Sequence, residues 1–395
     1  MTTTRGLRPW YRPMVARRPD EAHRSATPLE LFFDLCFVVA VAQAAAGLHH
    51  DVVEGHAGDA TVSYLRVFFA IWWAWMNVTW FASAYDTDDD VYRITTLVEI
   101  AGALVLAAGV PQAFAEGDFT TITYGYVVIR LAAVVQWTRA AAGDPAHRRT
   151  ARRYALGVAV VQAGWLARLL LPVDWLGPSF LLLALADLLV PAVAERAGTT
   201  PWNPRHIAER YGLFTLIVLG EVVLATSVAV QTGVDAGQGE LWPLAAAGAV
   251  IVFALWWLYF DRPVEVPTRL RATLVWGYGH YLIFAAIAAV GSGLWVAVDR
   301  ERHLGHVGGV AAGYATAVPV AVCLLAVWVL LVRPQREGPV SAAFPVIAAL
   351  VLLAPLGPAP VYVVAALLFA LVAVTVVARR RATRTGGRGR TPGPP

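Results

Sequence analysis

PLELFFDLCFVVAVAQAAAG, residues 28–47, is an apolar run of bilayer-crossing length that carries two carboxylates, Glu30 and Asp34, one helical turn apart on the same face. At the α-helical rise, Asp34 lies about 6 Å deeper than Glu30. The apolar core of a secretory leader would not hold two acids. The run is therefore expected to be a retained spanning helix, and the triplet Ala42–Ala44 to be helix rather than a cleavage site.

Comparable runs follow at 61–84, 93–113, 122–141, 152–171, 176–194, 206–230, 241–260, 272–298, 308–332, 340–356 and 359–378. The sequence thus predicts an all-α membrane protein of about twelve transmembrane helices. Pro319 and Pro345 fall inside helices, where neighbouring helices tolerate the kink. Composition agrees: 58% of the 395 residues are hydrophobic and 15% are charged, against about 25% in soluble domains. A disulfide scaffold is excluded, because the two cysteines, Cys36 and Cys323, lie within apolar runs.

All 31 basic residues are arginine. They gather at both ends and in alternate loops, which places both termini on the cytoplasmic side. Only Arg300 and Arg302 fall in loops on the opposite side, and Arg66, Arg130 and Arg168 lie within spans. The basic ends, 1–24 and 380–395, read as disordered tails whose expected partner is anionic lipid; nucleic acid is not expected.

An internal repeat is visible. WWAWMNVTWFASAYD at 72–86, the TLV of Thr96–Val98 and Glu30 recur in order as WWLYFD at 256–261, the TLV of Thr273–Val275 and Glu209, each about 180 residues on. This pattern predicts two parallel six-helix pseudo-repeats, 25–196 and 197–379, related by an axis normal to the membrane.

The same segments resemble the low temperature requirement protein A family of bacterial membrane proteins. The resemblance is carried by TPLELFFDLCFVVAVAQ at 27–43, WWAWMNVTWFASAYDTDDDVYR at 72–93, AGVPQAF at 108–114, HIAERYGLFTLIVLGE at 206–221 and WWLYFD at 256–261. It runs from about Thr27 into the tenth helix. One departure is Val222 after Glu221, where the family has a small polar residue. The resemblance implies a multi-pass protein of the bacterial cytoplasmic membrane linked to growth in the cold, and it implies no particular chemistry. The TPLELFFD segment also resembles the first-helix signature of potassium channels built from six-helix repeats, matching at Phe33 and Asp34 but lacking the intervening serine.

Ionisable groups inside a span are costly and should face the bundle interior. Those in this chain are Glu30, Asp34, Glu99, Arg130, Asp187, Glu209, Arg210, Glu221 and His280, and together they are the candidate pathway for an ion, proton or small solute. Arg130, the basic residue near mid-bilayer, is the expected partner of Asp34 and Glu221, with Glu99 and His280 lining the same space. A second acidic group, Asp86, Asp88, Asp89, Asp90 and Asp261, sits at the inner boundary. It reads either as a cation-attracting site or as an acidic helix start balanced by Arg93. On the opposite side, His49, His50, Asp51, Glu54 and His56 share a loop, and His303 and His306 another, without a fixed metal-ligand spacing.

No cofactor is expected, since no nucleotide, phosphate-loop, hydrolase-elbow or metalloprotease motif stands in a meaningful context. The sequence is read as a permease or ion channel, with a homo-oligomer among its expected assemblies. The alternatives are an intramembrane lipid or isoprenoid enzyme using Asp86–Asp90, and a non-transporting membrane-adaptation protein with structural charges.

Overall fold

A computed structural model describes residues 9–18, 21, 24–235, 241–263, 265–304, 306–335 and 338–386. Twelve α-helices form among these residues, and no strand does: α1 Pro28–Val53, α2 Ala57–Tyr85, α3 Asp90–Ala115, α4 Thr120–Gly143, α5 Arg148–Arg168, α6 Val173–Ala194, α7 Pro204–Asp235, α8 Leu241–Phe260, α9 Leu270–Glu301, α10 Gly309–Val327, α11 Gly338–Leu353 and α12 Pro360–Gly386.

Local chemistry sets several helix starts. In the Thr27-x-x-Glu30 box, the Thr27 backbone N–H donates to Glu30 Oε2 at 2.8 Å, and the Glu30 N–H donates back to Thr27 Oγ1 at 3.3 Å. Asp89 caps α3 by accepting from the Tyr92 N–H at 2.7 Å.

Nine of the described helices are long and apolar enough to cross a membrane. This is fewer than the expected twelve spans. α4 misses because it carries the buried Arg130 and Gln136, and α5 because the exposed arginines Arg148, Arg149, Arg152 and Arg153 crowd its first two turns. α11 misses because it is only 16 residues long. The membrane character shows most plainly on α6, where Leu181, Leu182, Leu185 and Leu189 lie exposed while Asp187 is fully buried. That inversion of the soluble-protein pattern suits lipid as solvent.

The chain divides into two compact units that do not coincide with the sequence halves. The first comprises Met1–Gly47, Thr61–Phe214 and Glu265–Tyr278; the second comprises Leu48–Ala60, Thr215–Val264 and Gly279–Pro395. In the first, α3 and α4 pack backbone to backbone. Gly102 and Gly125 face each other so closely that a side chain on either would strike the opposing chain. In the second, Gly293 of α9 approaches Ala315 and Thr316 of α10 in the same way.

The N-terminal segment departs from the expected disordered tail. Residues 9–18 form no regular secondary structure yet are held within the first unit, because their backbone groups find partners there. The Arg17 N–H donates to the Ala84 carbonyl, the Arg12 N–H to Asp89 Oδ2, and the Trp10 carbonyl accepts from the Val91 N–H. Met14 is fully buried. At the other end, α12 continues to Gly386 into the segment expected as tail, and residues 387–395 lie outside the described ones.

Candidate functional site

The first unit holds two buried charged networks. In the first, α7 delivers Arg210 to α1. Arg210 Nη1 lies 3.0 Å from Glu30 Oε1, and Nη2 meets Asp34 Oδ1 at 2.5 Å. All three side chains are at least 95% buried. The i,i+4 spacing of the two acids lets one guanidinium reach both. Trp75 Nε1 donates to Asp34 Oδ1 at 2.7 Å, leaving the buried Asp34 Oδ2 without a hydrogen-bond partner among the described residues. His206, one turn before Arg210, places Nε2 3.2 Å from Glu30 Oε1. Arg24 Nη2 lies 3.8 Å from both Glu30 Oε1 and Asp86 Oδ2, and its guanidinium donates to the carbonyls of Ala82 and Ser83. Burial, with the negative charge of Glu30 behind it, pushes the Asp86 carboxyl up to about 6, against the opposing pull of Arg24 and Arg17.

The second network joins α3, α4, α5 and α6. Arg130 Nη2 contacts Asp187 Oδ1 at 3.2 Å, while Tyr126 Oη and Trp165 Nε1 donate to Asp187 Oδ2 at 2.7 and 2.8 Å. Arg130 bears electrostatically on Glu99. Glu99 is 3% exposed and makes no side-chain hydrogen bond among the described residues. Gln162 of α5 is also buried, with both amide atoms unpartnered among the described residues.

Two expected partnerships change. Asp34 is held by Arg210, not Arg130, and Arg130 is held by Asp187. The reason is topological: depth along a helix does not say which helices are neighbours, and here α1 is bonded to α2 and α7, while α4 packs on α3 and α5 and is bonded to α6. Glu209 is exposed and accepts from the Ala26 N–H at 3.2 Å. His206 and Arg24 belong to the first network and were not singled out from the sequence. The HIAER spacing, His206 four residues before Arg210, was the available signal for the former.

In the second unit, Glu221 of α7 is 6% exposed, and Gly291 of α9 packs on its backbone and Cβ. It makes no side-chain hydrogen bond or ion pair among the described residues. His280 is buried between Tyr259 and Phe284. Asp261 pairs with Arg379. His49 Nε2 meets Asp299 Oδ2 at 2.7 Å, and His306 donates its N–H to the Val53 carbonyl.

The run 86–90 does not present converging oxygens. Asp86 faces Arg24 and Arg17, Asp88 pairs with Arg93 at 2.7 Å, and Asp89 caps α3 and meets Arg139 at 2.6 Å. Asp90 opens the first turn of α3. Among the described residues no three metal-ligating side chains come together, in this run or at the histidine loops.

Apolar side chains turned outward around a charged, hydrogen-bonded interior define a multi-pass α-helical membrane protein. The chain belongs to the bacterial low temperature requirement A (LtrA) protein family, whose model matches residues 25–378. It is similar to uncharacterized protein RA0937 of Rhizobium meliloti (strain 1021), with 27% identity over 316 residues covering 73% of this chain and 72% of that one.

Proposed function

We propose that this LtrA protein is a permease or channel of the bacterial cytoplasmic membrane, carrying a proton or small cation along buried carboxylates. The observation that carries the reading is Glu99, enclosed within a spanning helix, hydrogen-bonded to nothing among the described residues, beside an arginine already engaged by Asp187. A lattice serving only to fix helix register would match its charges, since each unmatched buried charge costs several kcal/mol. The second network does not match its charges, since Glu99 and Asp187 share Arg130, whereas in the first Glu30, Asp34 and Asp86 meet Arg17, Arg24 and Arg210. Asp34 Oδ2 and Glu221 add carboxylate capacity.

On this reading all twelve helices span: the polar residues Arg130 and Gln136 of α4 are buried, and the exposed arginines of α5, Arg148, Arg149, Arg152 and Arg153, sit in its first two turns, where long basic side chains reach the membrane surface. The arginine asymmetry supports cytoplasmic termini. The dispersal of Asp86–Asp90 among arginines and a helix cap weakens the metal-dependent lipid-enzyme alternative. The test is flux into proteoliposomes loaded with pH- and cation-sensitive dyes, across a panel of monovalent cations and small solutes. Flux above protein-free vesicles for at least one of them supports the proposal. Vesicles as tight as the protein-free control for every one would leave the charges a structural role.

A further inference from the structure

A cavity of about 60 Å³ lies within the first unit, apart from both charged networks. Its walls include Trp80 of α2, Trp137 of α4, Tyr154 of α5, Trp202 just before α7, and Tyr278 of α9, with Glu195 from the turn that follows α6. Thr199 and Thr268, both exposed, edge it. The aromatic walls are mutually braced: Trp137 stacks on Tyr154 with centroids 4.1 Å apart, and Trp80 meets Trp202 edge to face at 4.9 Å.

Among the described residues Glu195 is the one carboxylate on this lining, and no arginine or histidine lines it. The Glu195 side chain is held by neutral donors only. Tyr154 Oη donates to Oε1 at 2.8 Å, Thr200 Oγ1 to Oε1 at 2.7 Å, and the Thr200 N–H to Oε2 at 2.8 Å. Among the described residues it makes no ion pair, although arginine supplies a counter-charge to Glu30, Asp34, Asp86 and Asp187. A pinned carboxylate among indole and phenol rings, ion-paired to nothing among the described residues and with His147 bearing on it only electrostatically from outside the lining, has the composition that recognises an organic ammonium. By the measure in which a water needs ~10–15 Å³, the cavity admits a group of about four or five heavy atoms, the size of a methylated ammonium head.

We propose that this cavity binds the ammonium head of a small organic cation, with Glu195 as counter-ion and the aromatic residues as cage. The head can come from a free solute or from a lipid. The proposal stands apart from the transport reading, because binding can occur with or without flux.

The test is calorimetric titration of the purified full-length protein with choline, with tetramethylammonium, and with 3,3-dimethylbutanol, the uncharged carbon isostere of choline. Choline and tetramethylammonium are expected to bind, and the isostere to bind at least tenfold more weakly. Glu195→Gln is expected to remove most of that difference, and Tyr278→Leu to weaken both cations while sparing the Glu195 hydrogen bonds. Equal binding of choline and its isostere by the unmodified protein, or no cation binding at all, overturns the proposal even if a variant fails to fold. Full choline affinity in folded Glu195→Gln overturns it as well. Repeating the titration in phosphatidylcholine and phosphatidylglycerol nanodiscs separates the sources: weaker choline binding in the former assigns the site to a lipid head, and equal binding assigns it to a free cation.

Discussion

Arg210 holds Glu30 and Asp34 together on a single guanidinium, reaching across from α7 to two acids four residues apart on α1. This one side chain ties the start of α1 to α7. Because Glu30 also caps α1 through its other oxygen, helix initiation and interhelical pairing depend on the same carboxylate.

Arg210→Met should therefore be costly, since it leaves two acids buried with Arg24 and His206 as remaining neighbours. Stripping one partner from a buried pair costs about 3–5 kcal/mol. Thermal unfolding in detergent should show a large loss for Arg210→Met and a smaller one for Arg210→Met combined with Asp34→Asn, because the second change removes a stranded charge. Equal losses would show that the pair is not coupled.

Asp86 should give the protein a measurable pH response. Its carboxyl is pushed up to about 6 in the folded state, against an ordinary value near 4. A raised pKa means that the folded state binds the proton more tightly, so this contribution to stability is complete below about pH 4 and is lost as pH rises through 6. Two pKa units correspond to roughly 2–3 kcal/mol. Between pH 4 and 7 the wild type should lose stability relative to Asp86→Asn, and parallel melting curves for the two would contradict the assignment.

Asp89 caps α3 through Oδ1 and holds Arg139 and the Arg12 N–H through Oδ2, and substitution can separate the two oxygens' tasks. Asn caps a helix about as well as Asp does, but its amide NH2 cannot accept where Oδ2 now does, so Asp89→Asn should keep the cap and lose both the Arg139 ion pair and the Arg12 N–H bond. Asp89→Ala should lose about 1 kcal/mol more, the worth of the cap. Chemical denaturation of the two variants measures the difference.

Gly125 admits no side chain, because the backbone of α3 at Gly102 and Leu106 lies against it. Gly125→Val should force α3 and α4 apart at a cost of about 1–3 kcal/mol or more. Size-exclusion profiles should show aggregation, whereas Gly220→Ala, at a position open to substitution, should behave as wild type.

The helices were legible in the sequence because apolar length is a one-dimensional property. The span expected at 241–260 coincides with α8, Leu241–Phe260. α1 outruns its expected end at Gly47 and reaches Val53, because hydropathy falls at His49, His50 and Asp51 while the backbone hydrogen bonding continues. Several buried charges were legible for the same reason: Glu30, Asp34, Glu99, Arg130, Asp187 and Glu221 are all buried. Their partners were not, because pairing depends on which helices touch. Arg210 looked like a boundary residue beside Glu209, yet the helical turn buries one and exposes the other. The packing of residues 9–18 was hidden too, since an irregular segment held by backbone bonds leaves no periodicity to read.

The transport reading rests most directly on Glu99, and one substitution addresses it. Glu99→Gln keeps the shape and removes the charge and the exchangeable carboxyl proton. Proton or cation flux through purified Glu99→Gln protein in proteoliposomes, compared with wild type at matched protein content and thermal stability, is the decisive measurement. The expected result is flux reduced to the level of protein-free vesicles while the variant stays folded. Flux equal to wild type would contradict the account and remove Glu99 from any pathway.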